Sequence, residues 1–75
     1  MNDKDIIREA MHARGYSQAF LAEKVGYSSQ AGVSRVLSVQ NGMRIDNFVK
    51  LLNAMDFEVV VRSKTKSGEE WKVEM

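Results

Sequence analysis

The sequence predicts one small, mainly α-helical domain, a bundle of four to five short helices with a β-hairpin at its C-terminal end. Three observations lead there. Apolar residues recur every three or four positions as far as Met55. From Phe57 the period drops to two. The 75 residues leave room for one core, and with no cysteine there is no disulfide to brace it. Residues 1–56 therefore read as the bundle and 57–75 as the hairpin, both parts of the same domain.

The first helix is expected to start near Asn2 or Asp3, both good N-caps, with Asp3 and Asp5 at the positive end of its dipole. Ile7, Ala10, Met11 and Arg14 follow at i, i+3, i+4 and i+7, an inward stripe that stops at Gly15. Tyr16 precedes the Ser17 cap and can pack on Leu21 as a hydrophobic staple. The second helix carries Leu21, Ala22 and Val25 at helical spacing; Ala22 is small where two helices must cross closely. Gly26 can take the left-handed conformation that ends a helix, and Ser29 can cap the next, which carries Val33, Val36 and Leu37. Two helices set at an angle by so short a turn form a helix-turn-helix, whose second helix can enter the major groove of DNA.

After Leu37 the polar run Ser38 to Gly42 contains a turn-forming Asn-Gly pair. The last helix then carries Ile45, Phe48, Leu52 and Met55, with Leu51 beside them, closing the bundle. In the hairpin, Phe57, Val59 and Val61 alternate with Glu58, Val60 and Arg62, and Trp71, Val73 and Met75 alternate with Glu70, Lys72 and Glu74. A tight loop, Lys66-Ser67-Gly68, sets Val61 against Val73 and Val59 against Met75, and puts Gly68 where a left-handed residue is favoured. A two-stranded hairpin alone is only marginally stable in water, so its apolar face is expected to cover the bundle or a second subunit.

The segment from Ser17 to Gly42 resembles the Cro/lambda-repressor-like, or XRE, group. Its usual pattern is roughly TQxxLAxxxGVSxxxISRxExG, matched in order here by Ser17-Gln18, Leu21-Ala22, Gly26, Ser29-Gln30, Val33-Ser34-Arg35 and Asn41-Gly42. The turn Tyr27-Ser28-Ser29 is one residue longer than that pattern, and Gly32 falls inside the third helix, where glycine costs about 1 kcal/mol relative to alanine. The resemblance covers about three quarters of the chain. It implies a lambda-repressor-like fold and a DNA-binding transcriptional regulator, a repressor acting as a homodimer on a palindromic operator.

It also implies residue roles. Gln30, Ala31, Ser34 and Arg35 take the positions that reach base edges. The Gln30 amide suits adenine, the Arg35 fork suits guanine, Ala31 can meet a thymine methyl, and Ser34 can serve a base or a phosphate. Gln18 resembles the family glutamine that touches phosphate and braces the recognition helix. Ser29, Asn41 and Arg44 are further phosphate contacts, which set register without reading sequence. Taken singly, Gln30 and Arg35 would read as solvated side chains; the motif around them gives them the DNA role.

Charge agrees in direction. From Arg14 to Lys50 five bases face two acids, net +3, whereas the remainder holds six bases and eight acids, net −2. At 44% hydrophobic and 28% charged the composition is that of an ordinary globular protein. No apolar run nears the ~20 residues of a membrane span and no signal peptide opens the chain, so the expected site of action is the cytoplasm of a bacterium, for a bacterial, phage or mobile-element protein. A domain of this size commonly needs added stability, and dimerisation is the open route.

Other chemistry finds little footing. His12 is the sole histidine and has no companion ligands, so no metal and no cofactor are expected. Ser17, Ser28 and Ser29 lack a recognisable general base and suit caps, and the pairs Asp3/Asp5 and Glu69/Glu70 suit a helix start and a loop, so no catalytic residue is expected. The run Lys64 to Glu70 reads as a solvated hairpin tip. The rival to a simple repressor is an antitoxin-like module that binds and neutralises a partner protein while autoregulating its operon; Val60 and Trp71 of the hairpin would be its contact surface, or the dimer surface.

Overall fold

In a computed structural model, which describes residues 1–74, the chain forms four helices followed by a two-stranded antiparallel sheet. Helix α1 spans Asp3–Arg14, α2 Gln18–Val25, α3 Ala31–Ser38 and α4 Ile45–Ala54; strand β1 spans Val59–Arg62 and β2 Glu70–Val73. Among the described residues no helix is long and apolar enough to cross a membrane.

Most helix ends have a local cause. Asn2 accepts the Asp5 N–H at 2.9 Å while the Asp5 carboxylate accepts the Asn2 N–H at 3.3 Å, a reciprocal capping box at the head of α1. Ser17 Oγ accepts the Phe20 N–H at 3.1 Å to start α2. Gly15 (φ 68°) and Gly26 (φ 83°) end α1 and α2 in the left-handed conformation. Helix α4 ends the same way without glycine: Asp56 holds φ 62°, with Phe57 N–H donating to the Leu52 carbonyl at 2.9 Å. Tyr16 meets Phe20 edge to face, ring centres 4.7 Å apart, and packs against the core cluster that holds Leu21.

The start of α3 departs from expectation. Gln30 already has helical dihedrals (φ −54°, ψ −29°), and among the described residues no side chain caps this helix. Ser29 contributes its carbonyl, which accepts the Gly32 N–H at 3.2 Å, in place of its hydroxyl. The extra residue of the turn is absorbed by beginning the helical winding one step early.

Among the described residues the core is wholly apolar, built from Ile7, Ala10 and Met11 of α1, Leu21 and Ala22 of α2, Val33 and Leu37 of α3, and Val49, Leu51, Leu52 and Met55 at the α4 end. Ile45 is on the same stripe of α4 as the fully buried Val49, yet it is 56% exposed because the first turn overshoots the edge of the core. Arg14 is not in the core either. Its guanidinium donates to the carbonyls of Met55 (2.8 Å) and Asp56 (3.3 Å) and stacks on Phe57 at 4.1 Å, so it caps the exit of α4. That employment of Phe57 delays the strand to Val59.

In the hairpin the faces follow the alternation but the register differs from the expected one by two positions. Val61 faces Trp71, not Val73, and Val59 faces Val73; its expected partner Met75 lies outside the described residues. The loop is wider, running from Lys64 to Gly68 above a Ser63 N–H to Glu69 carbonyl bond of 2.9 Å. The reason lies in the tip. The hydroxyls of Ser63, Thr65 and Ser67 bond one another at 2.8 to 3.0 Å, and Ser67 donates to the Glu69 carboxylate at 2.7 Å. Three alternating hydroxyls thus stabilise a broad turn, with Gly68 (φ 78°) supplying the left-handed step. Only the near end of the hairpin covers the bundle: Val59 packs on the core and Val73 is half-buried, whereas Val61 and Trp71 are 53% and 63% exposed. The molecule is accordingly elongated, 43 × 25 × 22 Å.

Candidate nucleic-acid interface

Helix α3 is pinned from several sides. Val33 and Leu37 anchor it in the core. Ser34 Oγ donates to Gln18 Oε1 at 2.6 Å, tying it to the head of α2. Arg8 of α1 donates to the Leu37 carbonyl at 3.2 Å, satisfying one acceptor at its C-terminal end. Tyr27 presses on Gly32: a Cβ there would stand 2.8 Å from the ring Cδ2 and 3.0 Å from Cγ. The glycine that weakens α3 on propensity is what lets the tyrosine side chain approach it so closely.

These attachments leave one stripe uncovered. Ala31, Arg35 and Ser38, spaced at i, i+4 and i+7, are exposed, and so are Ser29 and Gln30 just before them. Ser34 stands apart from the other expected base-contacting residues, half-buried with its hydroxyl committed to Gln18. In this arrangement it positions α3, and an acceptor on a base or phosphate could take its proton only by breaking that bond.

Arg35 and Arg44 line the same open groove of about 320 Å³, together with Val36, Val39, Met43 and Asn47. Sequence reasoning missed Val39, Met43 and Asn47; the only signal for them was the place of Val39 and Met43 in the short link between two helices and of Asn47 in the first turn of α4. The link is tied down by α1. Asp3 accepts the Met43 N–H, and Lys4 Nζ donates to the Asn41 carbonyl at 3.0 Å. The Met43 N–H holds the Asp3 carboxyl below its usual range, aided by the Lys4 N–H and charge and opposed by partial desolvation.

Arg44 is 79% exposed on its side chain and bound in a fork to Asp46, at 3.2 Å through Nε and 3.1 Å through a terminal nitrogen. The pairing lowers the Asp46 pKa, chiefly through the hydrogen bonds from Arg44, and raises that of Arg44. Exposed pairs of this kind are weak and exchange readily. A phosphate at Arg44 would compete with Asp46 for the same fork.

Compared with known proteins, the chain matches no family model, no curated protein and no solved structure.

The last pair of expected contact residues, Val60 and Trp71, lies at the hairpin. Val60 is 40% exposed on the face that carries Lys72, and Trp71 is on the opposite face beside Val61. They cannot serve one flat surface together.

Proposed function

We propose that this chain is a sequence-specific DNA-binding transcriptional regulator, a repressor of lambda-repressor-like fold that binds a palindromic operator as a homodimer. Helices α2 and α3 act as a helix-turn-helix, with α3 in the major groove and half-sites about one turn (~34 Å) apart. Arg35 reads guanine and Gln30 reads adenine, with Ala31 against a thymine methyl. Gln18, Ser29, Asn41 and Arg44 attend the backbone, and Ser34 sets the pose of α3 through Gln18. Repression follows from occupying the promoter.

The observation that carries this reading is the division of α3 into a face held by Gln18, Arg8, Tyr27 and the core, and an outer stripe holding Arg35, which shares a groove with Arg44. A rigidly held rod with a free polar edge is what groove reading needs, because a mobile helix would lose affinity to ordering. Selection of bound DNA from a random pool, at stated salt, tests it: an inverted repeat is expected. On the recovered site Arg35→Ala should lose about 1–3 kcal/mol and relax discrimination at one base pair. Equal losses on cognate and scrambled DNA would reject the base-reading role.

A second reading, an antitoxin-like protein that neutralises a partner while autoregulating its operon, draws on the 63% exposure of Trp71. A stable neighbouring-gene product that co-purifies with the chain would favour it.

A further inference from the structure

We propose that two copies of this chain join through the outer edges of β1, antiparallel about a two-fold axis at Val60, in a continuous sheet of strand order β2–β1–β1–β2. This gives an interface to the homodimer of the DNA-binding reading and rests on that reading for its two-fold symmetry.

Backbone direction comes first. The Ser63 N–H bonds the Glu69 carbonyl, so Ser63–Glu69 is a hydrogen-bonded pair of the ladder. Such pairs alternate, which turns the backbone groups of Val61 and Val59 toward Trp71 and Val73, and those of Val60 and Arg62 outward. Among the described residues the outer edge of β1 has no strand beside it. A two-fold axis at Val60 sets outward groups against outward groups, so both copies of Val60 exchange their N–H and C=O bonds.

Charge selects this register. Lys72, directly across from Val60, lies 3.7 Å from the Glu58 carboxylate, which puts Glu58 on the face shared by Val60, Lys72 and Arg62. Along that face of β1 the order is acid, valine, base. Turned about Val60, each Glu58 stands opposite the partner's Arg62, and the pairing occurs twice. The other edge of the hairpin repels its own copy. Glu70, Lys72 and Glu74 point outward there, and a two-fold axis at Lys72 would oppose lysine to lysine and glutamate to glutamate. One edge is guarded against self-pairing and the other is made for it.

The apolar face gains cover in the same arrangement. With Val60 on the axis, Val61 stands beside the partner's Val59, and the row across the sheet runs Trp71, Val61, the partner's Val59, the partner's Val73. Val59 rests on the core of its own subunit. The row is therefore carried over the partner's bundle, where Trp71 and Val61, overhanging their own, find cover. The exposed Val60, Val61 and Trp71 all have a place in this one arrangement.

Trp71 is the sole tryptophan, so its fluorescence reports the interface directly. Sedimentation equilibrium should show a dimer, with Trp71 emission shifting blue as concentration rises through the dissociation constant. Glu58→Arg and Arg62→Glu should each weaken dimerisation about tenfold or more, because each places like charges across both symmetric pairs. The double variant Glu58→Arg/Arg62→Glu should restore dimerisation to within about threefold, and circular dichroism checks that every variant is folded. Single reversals that dimerise like the parent, a double variant that does not recover, or a monomer at all concentrations would overturn the interface. So would a foreign protein that blue-shifts Trp71 while the chain alone stays monomeric. DNA selection on the same proteins separates the two claims. A monomer that still selects a half-site keeps the DNA-binding reading and rejects this interface. A dimer that responds to the charge swap but selects no DNA does the reverse.

Discussion

Gly32→Ala offers the sharpest check on how α3 is held. On propensity alone the change should stabilise the helix by about 1 kcal/mol. The structure opposes that gain. The new Cβ would stand 2.8, 3.0 and 3.2 Å from Cδ2, Cγ and Cβ of Tyr27, atoms at the stem of the side chain and not at its flexible tip. The tyrosine backbone cannot yield, since its N–H is bonded to the Ala22 carbonyl at 2.9 Å. Relief requires lifting the ring away from the core and from Lys50, whose ammonium sits 5.2 Å from the ring centre. Overpacking of this kind costs about 1–3 kcal/mol, so the clash outweighs the propensity gain and the net expectation is a loss of about 1 kcal/mol. In a domain of this size that is roughly 4–8 °C in Tm. Urea and thermal unfolding, at one protein concentration because dimerisation shifts Tm, should be measured for Gly32→Ala, Tyr27→Ala and the double variant. With the ring removed, Gly32→Ala should change sign and stabilise by up to about 1 kcal/mol. A rise in stability in the parent background, or the same effect in both backgrounds, would refute the packing argument.

Three further outcomes follow from the charges at the groove and at the link beside it. Asp46→Asn should strengthen binding to cognate and scrambled DNA alike by releasing the Arg44 fork, whereas Arg44→Ala should weaken both and flatten the salt dependence; filter binding across a salt series reads each slope. Asp3 has a folded pKa below its ordinary value of 3.8, so its contribution to stability is present above that value and is lost as pH falls through the lower, folded pKa. Asp3→Asn should therefore flatten the acid limb of the stability profile below about pH 4 and speed amide exchange at Met43, whose N–H it accepts. An unchanged acid limb would mean that the bond to Met43 contributes nothing.

Much of the fold could be read from short-range pattern. The Asn2-to-Asp5 box, the Ser17 cap and the left-handed glycines at 15 and 26 act within one helical turn, and the change of period at Phe57 separates bundle from hairpin. The same holds for the site: helical spacing identified α3 as a helix with an apolar inner face, and Gln30, Ala31 and Arg35 fall on its exposed side. The parity of the strands, and hence the faces of Val60 and Trp71, followed from alternation alone.

What remained hidden depends on groups far apart along the chain. Arg14 sits on an inward-looking spacing, yet α4 draws its guanidinium to carbonyls 41 and 42 positions away. Ser34 looked free until Gln18, 16 residues earlier, accepted its proton. Gly32 read as a weakness in a helix and proved to be the seat of the Tyr27 ring. The hairpin register turned on a hydroxyl network whose strength no period encodes. Sequence by itself determined the elements, the ends of α1 and α2 and the faces of the strands, because dihedral preferences, caps and periodicity act over a few residues. Only the tertiary structure decided which polar side chain would be spent on holding the fold and which left free, because that choice is made by whatever donor or acceptor the packed chain brings within 3 Å.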